Sequence, residues 1–272
     1  MKSSIAQRVK SLPPLSKTIA DINRICIDPK AGVAELAKVI EHDPMIVANL
    51  LKAANSPLYG FGKEIKNVAQ AVSLFGMEMT RSIAIGNVVR KLLNVDMQPY
   101  GITSEKFAEI SSLQATLMNN WYNEVDKSKA EELYLAAFLQ ETGKILIASD
   151  VIQDDEDISF KSEIDMTNNI AQVEKLYVGV SSAEVTAFIF EHWGFEHKFV
   201  EMIRYSDNPS AAPREIKEFA TALHIVKTAL PVNKPFNEHA INFALRKARD
   251  AGYDHEVLED AIDDMLDILE AS

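Results

Sequence analysis

The stretch Leu135-Ala136-Ala137-Phe138-Leu139-Gln140-Glu141-Thr142-Gly143-Lys144-Ile145-Leu146-Ile147 decides how this chain is read. Apolar residues at helical spacing run into the polar pair Gln140-Glu141, then into Gly143-Lys144, and a second apolar helix starts at once. Two buried helices therefore meet at a polar junction. An ionisable side chain in such a place is costly unless something pairs with it, so Gln140 and Glu141 mark the point from which any chemistry has to be traced.

Around this junction the composition is that of an ordinary globular chain: 272 residues, 47% hydrophobic and 25% charged. Only 10 glycines and 10 prolines punctuate it, and between them apolar residues recur at helical rather than alternating intervals. The expected fold class is all-α, a multi-helix bundle. Against 28 Lys and Arg stand 40 Asp and Glu, a net charge of -12 that repels phosphate backbones, so no nucleic-acid partner is expected. Cys26 is the one cysteine; it can form no intrachain disulfide and suits a reducing, cytoplasmic location. Lys2, Arg8 and Lys10 interrupt the start where a secretion signal needs an apolar core, and no run is long enough for membrane insertion.

Upstream of the junction, short amphipathic helices alternate with breakers. Leu12-Pro13-Pro14-Leu15 fixes an extended entry, and Ile19, Ile22 and Cys26 share a helix face that Asp28-Pro29 ends. Val33, Leu36 and Ile40 make the next stripe. Asp43 then caps, with Pro44 at the first position, a helix that turns Ile46, Val47, Leu50, Leu51 and Ala54 inward. Asn67 opens a helix through Phe75 that Gly76 stops, and residues 77–93 form another. Residues 104–125 carry the stripe Phe107, Ile110, Leu113, Leu117 and Trp121, and Ser128-Lys129-Ala130-Glu131 has the form of a capping box for the helix entering the junction. Beyond the junction, Asp154-Asp155-Glu156-Asp157 reads as a solvated loop and Ser181-Ser182-Ala183-Glu184 as a second capping box.

Four of these segments, Leu12-Pro13-Pro14-Leu15, His42-Asp43-Pro44, Ala54-Asn55-Ser56-Pro57-Leu58-Tyr59-Gly60 and Ala71-Val72-Ser73-Leu74-Phe75-Gly76, resemble in order and spacing the HDOD domain family. So do Ala183-Glu184-Val185-Thr186-Ala187-Phe188-Ile189-Phe190-Glu191-His192-Trp193-Gly194-Phe195 and Ile203-Arg204-Tyr205-Ser206-Asp207-Asn208-Pro209. The resemblance covers roughly the first three quarters of the chain. It implies an HD-domain/phosphodiesterase-like core with an N-terminal helical subdomain, in a bacterial signalling protein. The domain layout expected is 1–100 for that subdomain, 101–231 for a degenerate HD-like core, and 232–272 for C-terminal helices that pack on the core or on a partner.

An HD phosphohydrolase holds divalent metal with a histidine from one helix, an adjacent His-Asp pair from another and an Asp from a third. By the resemblance the first histidine falls at Ser111 or Ser112, the pair at Gln140 and Glu141, a later histidine at Ser182, two more positions at Ser206 and Asp207, and the last Asp at Lys227. Only Glu141 and Asp207 keep a carboxylate. Hydroxyls and an amide are weak neutral ligands, and Lys227 brings a positive charge to where the metal belongs. The resemblance thus implies a pseudo-enzyme with no catalytic residue, no metal and no cofactor. It leaves a vestigial pocket of Ser111, Gln140, Glu141, Lys144, Ser182 and Lys227. Either these residues satisfy one another as a filled polar core, with Glu141 and Lys227 as an ion pair, or they keep a small-ligand site in which Lys144 beside Gly143 is a candidate for holding an anion.

Two surface features remain. Asn55, Ser56, Tyr59, Gly60 and Phe61 offer aromatic area for a candidate interaction surface, and equally suit a tight helix-to-loop corner. Near the C-terminus Asn237 caps a helix with Ile241, Phe243, Ala244 and Ala248, and Asp254 opens a last one whose seam of Leu258, Ile262, Met265 and Leu269 runs between acidic faces. That helix docks on the chain's own bundle or serves a homodimer or another partner. The function expected is a non-catalytic regulatory module of bacterial signal transduction that acts through protein partners. The alternative is a degenerate phosphohydrolase that senses a nucleotide or cyclic dinucleotide.

Overall fold

The computed structural model describes residues 2–59, 61, 63–93, 96–167 and 169–271, and among these the chain forms fourteen α-helices, three short 3-10 turns and no strand. After α1 (Ser3–Ser11) come α2 (Lys17–Ile27), α3 (Val33–Glu41), α4 (Pro44–Ala54) and α5 (Val68–Leu93), and α2 to α5 pack on one another as an N-terminal layer. Their boundaries are local chemistry. Asp43 Oδ1 accepts from the amides of Met45 and Ile46 at 3.0 and 3.2 Å, with Pro44 at the first helical position. Gly76, at φ 75° and ψ 178°, takes a backbone conformation that side chains resist, so the two helices expected on either side of it run on through a kink.

The spine is α6 (Ser104–Leu139), which is broken at Asp126 (φ -157°, ψ 92°). The capping box expected at Ser128 gives way here to a cap two residues earlier: Asp126 Oδ1 accepts from the Ser128 amide at 3.1 Å and its hydroxyl at 2.6 Å. Next come α7 (Gly143–Gln153), α8 (Asp157–Met166), α9 (Ile170–Val178), α10 (Ser182–His192), α11 (His197–Arg204) and α12 (Arg214–Ala229), closed by α13 (Glu238–Asp250) and α14 (His255–Glu270). The Ser181 capping box forms as expected before α10, the Ser181 amide donating to Glu184 Oε2 at 2.9 Å.

Instead of staying with α2 to α5, α1 reaches α7 and α10. Lys2 secures it, with Nζ 2.6 Å from Asp154, 3.6 Å from Glu156 and 3.7 Å from Asp150. Trp193 Nε1 then donates to the Pro13 carbonyl at 3.0 Å. The acidic run at 154–157 is therefore more than a solvated loop, since two of its carboxylates anchor a distant helix.

At the other end, α14 buries Leu258, Ala261, Ile262 and Met265 and packs on α6, α13 and the Pro57–Tyr59 turn. The seam considered for a homodimer is thus taken up within the chain, and Glu256, Glu259, Asp260, Asp263, Asp264, Asp267 and Glu270 face solvent. On α13, Ala244, Leu245 and Ala248 turn inward, whereas Phe243, grouped with them by the sequence, stands 40% exposed. Among the described residues no helix is long and apolar enough to cross a membrane.

Candidate functional site

Helix α6 ends at Leu139 and α7 begins at Gly143, which leaves Gln140 and Glu141 buried between them. What draws α7 onto α10 is Gly143: a Cβ there would lie 2.2 Å from the Ser182 carbonyl oxygen and 2.7 Å from the Thr186 amide nitrogen. Its own amide donates to Thr186 Oγ1 at 2.8 Å, and that hydroxyl lies 2.7 Å from the Ser182 carbonyl and 3.0 Å from that of Gln140. Glycine is needed here for close packing. With the helices in contact, Lys144 is 2% exposed.

A buried cation has to be paired, and Lys144 is. Its Nζ lies 2.7 Å from Glu174 Oε1, 2.9 Å from Ser182 Oγ and 3.2 Å from Glu141 Oε2. Glu174 also accepts from the Ser182 amide at 2.6 Å and the Tyr100 hydroxyl at 3.0 Å. Lys227 donates to Asp207 Oδ1 at 2.7 Å and stands 4.0 Å from Glu141 Oε2. The expected Glu141–Lys227 pair is thus the looser contact for both residues. Gln114 Nε2 donates to the Leu230 carbonyl at 2.8 Å and to Glu141 Oε1 at 3.3 Å, and Gln140 Nε2 donates to Gln114 Oε1 at 2.9 Å. Ser111 takes no part in this network; its hydroxyl donates back to the Phe107 carbonyl at 2.9 Å.

Burial pushes the Glu141 carboxyl up, but Lys144 and Lys227 outweigh it and hold the group below the ordinary carboxylate range. Burial likewise disfavours the Lys144 ammonium, and Glu141 and Glu174 more than restore it, holding its pKa well above the usual lysine range. Asp207 is held low by Lys227 and then Lys144 against its own burial, while Lys227 is held up by Asp207 and Glu141. The two lysines stay charged in the place a metal would neutralise. A divalent ion does not fit this donor set: two ammonium groups already stand against Glu141 and Asp207, and the remaining donors are hydroxyl and amide. Among the described residues no group of three or more His, Cys, Asp and Glu side chains is placed to hold one.

The HDOD domain profile matches residues 12–209 of the chain. The chain belongs to the HDOD domain family. An uncharacterized protein of Treponema pallidum is 23% identical over 229 residues, 80% of this chain and 42% of that protein, so this HDOD chain spans less than half the length of the curated relative it matches. A crystal structure of a virulence factor from Campylobacter jejuni is 26% identical with a TM-score of 0.58, covering 96% of this chain and 95% of that one. A candidate signal transduction protein from Marinobacter aquaeolei matches at 22% identity and a TM-score of 0.74, over 100% of this chain and 61% of that one. The HDOD chain shares the all-helical HD-type fold and lacks, among its described residues, the metal-binding set of HD phosphohydrolases.

From this HDOD seat a cavity of about 470 Å³ opens outward, with Glu141, Lys144, Asp207 and Lys227 at its floor and Lys234, Phe243 and Arg246 at its rim. The three rim residues lie beyond the stretch that the family match covers. On the wall, His224 Nδ1 sits 2.7 Å from the Ser206 carbonyl oxygen, so that nitrogen carries the hydrogen. Burial, then Lys247 and Lys227, lower its pKa to about 4, so the ring is neutral at pH 7.

The corner from Asn55 to Phe61 lies in the N-terminal layer. Asn55 Nδ2 donates to the carbonyls of Leu51 and Ile65 at 2.8 and 2.9 Å, its Oδ1 accepts from the Ile65 amide at 2.9 Å, and Ser56 Oγ lies 3.4 Å from the Leu58 amide. The Tyr59 hydroxyl meets that of Tyr134 at 3.2 Å, and its ring packs against Phe75 and Phe61 with centroids 4.9 and 6.3 Å away. These side chains build the corner and leave Tyr59 and Phe61 half-buried; Gly60 lies outside the described residues. Sequence reasoning missed Gln114, Glu174, Tyr100 and Thr186. A signal existed for two of them. Gln114 is three residues beyond Ser111, inside the stripe of Leu113 and Leu117, and Glu174 sits four residues from both Ile170 and Val178 on the inner face of α9.

Proposed function

We propose that this HDOD chain is a non-catalytic regulatory module of bacterial signal transduction, which carries out no reaction and acts by presenting its surface to a protein partner in the cytoplasm. The observation that supports this reading is the pair of buried ammonium groups, Lys144 and Lys227, set against the carboxylates that a metal would use. The signalling description of the Marinobacter relative points the same way. In this reading residues 101–231 are the scaffold, and segments 1–100 and 232–272 present the partner surfaces. The half-buried Tyr59 and Phe61 beside α14, and the acidic outer face of α14, are the areas to be read. A homodimer through that acidic face would set like charges together, so a basic partner is favoured over a second copy.

Metal content of protein purified without chelators, together with phosphodiester hydrolysis in added Mn²⁺ and Mg²⁺, tests the non-catalytic half. The expected outcome is no stoichiometric metal and no turnover above the buffer blank; stoichiometric metal with turnover would overturn it. Capture from the native cell with the full chain and with a chain whose α14 acids are changed to lysine tests the other half, and a partner indifferent to that reversal removes α14 from it. The cavity beside the seat favours a second reading, in which the module also senses a small ligand.

A further inference from the structure

We infer that the rim of the cavity binds a small organic phosphate of the mononucleotide class, with its phosphate at Lys234 and Arg246 and its ring against Phe243. This deepens the second reading above and rests on it.

The charge distribution carries the argument furthest. In a chain of net charge -12, two basic groups at one concave spot have no carboxylate partner among the described residues. At the floor, Lys144 and Lys227 are tied to Glu141, Glu174 and Asp207. At the rim Lys234 Nζ bonds to a backbone carbonyl, that of Asp165, at 2.8 Å. Arg246 has no carboxylate within 4.0 Å among the described residues, and its guanidinium lies 5.5 Å from the Phe243 ring centroid. Two cations left over in a cleft with low-dielectric walls draw in an anion, and the planar fork of an arginine matches phosphate oxygens.

Shape and lining narrow the class. A volume of about 470 Å³ lies within the span that small-molecule sites occupy. Ile170, Ala171, Ala240 and Phe243 give the cavity an apolar side; the Phe243 ring is 40% exposed, with Lys247 Nζ 4.5 Å from its centroid, and a planar group would pack on the exposed part of it. At the floor the two ammonium groups are already matched by Glu141, Glu174 and Asp207, which leaves no spare cation there for a phosphate, so it stays at the rim and the ring reaches inward. That orientation keeps the phosphate away from the former metal seat, and the ligand is held without being cleaved.

The test uses the full chain in excess EDTA, with AMP, GMP, adenosine and inorganic phosphate as probes, read by calorimetry and thermal shift. One of the nucleotides is expected to bind and raise the melting temperature. Adenosine and inorganic phosphate should each bind at least about tenfold more weakly, and Arg246→Glu or Lys234→Glu should cost the nucleotide a similar factor while leaving the ligand-free melting temperature in place. Phe243→Ala should weaken the nucleotide and leave inorganic phosphate unchanged; Lys10→Glu, far from the cavity, should change neither. No binding at millimolar probe, binding unaltered by Arg246→Glu, or inorganic phosphate binding as well as the nucleotides, which means an adventitious ion only, would each overturn the inference. Chromatography of the recovered nucleotide separates the two readings: intact nucleotide supports both, and product formed when Mn²⁺ replaces EDTA refutes the non-catalytic reading while leaving the site standing.

Discussion

The floor and the rim of one cavity treat positive charge in opposite ways. At the floor, Lys144 and Lys227 are almost out of reach of water and each lies within 2.7 Å of a carboxylate oxygen. At the rim, Arg246 is exposed and without a carboxylate neighbour among the described residues. The lesson is that a lysine in a former metal seat is structural when carboxylates enclose it, whereas an arginine at the cavity mouth is free for something that arrives. Charge at the floor is enclosed and paired by the fold, and charge at the rim faces solvent.

The sharpest way to break this contrast is Lys144→Ala. It leaves Glu141 and Glu174 buried against each other, with an expected loss of about 3–5 kcal/mol in urea unfolding; a midpoint near that of the parent protein would show that the floor is not held by charge. Adding Glu174→Gln to that variant should recover part of the loss, because one stranded carboxylate is removed. Gly143→Ala comes next, at about 3 kcal/mol, since its Cβ would meet backbone rather than a side chain that can turn away.

A smaller effect is expected from His224. Its pKa is lowered from 6.5 to about 4 in the folded chain, so the unfolded chain takes up the proton more readily. Stability therefore falls as pH drops from about 6.5 toward 4 and levels off below it, by about 2 kcal/mol once partial exposure is allowed for. His224→Gln should flatten that part of a pH series of urea midpoints; Lys247, Lys227 and Asp207, which face the ring, stay in place. Ser181→Ala removes the cap of α10 and should cost about 1 kcal/mol. Arg246→Ala closes the order, with a change within about 0.5 kcal/mol; a larger loss would make the rim as structural as the floor.

The parts of this molecule that the sequence makes legible are those written within one turn of helix. Asp43-Pro44, the Ser181 box and Gly76 announce their boundaries because cap and amide, or glycine and its φ, are neighbours in the chain. The cap before the junction is not legible for a related reason: Asp126 and Ser128 both suit a cap, and the choice between them is made by a kink. The site was legible only in outline. Gln140, Glu141, Ser182 and Lys227 could be placed by resemblance, but Lys144 finds Glu174 thirty residues along the chain, and the difference between Ser111 turned back on its own helix and Gln114 turned inward is a matter of rotamer and packing. Phe243 reads as core in the sequence because apolar character alone does not reveal that a cavity lies beside it.

One earlier contact also limits how this protein can move. At Gly143 the backbone of α7 lies directly on that of α10, and the Thr186 hydroxyl closes the contact by accepting from the Gly143 amide at 2.8 Å. A slide or roll of the two helices past each other would break the hydrogen bond from the Gly143 amide to Thr186, and Lys144, Ser182 and, through Lys2, the anchored α1 are tied to the same contact.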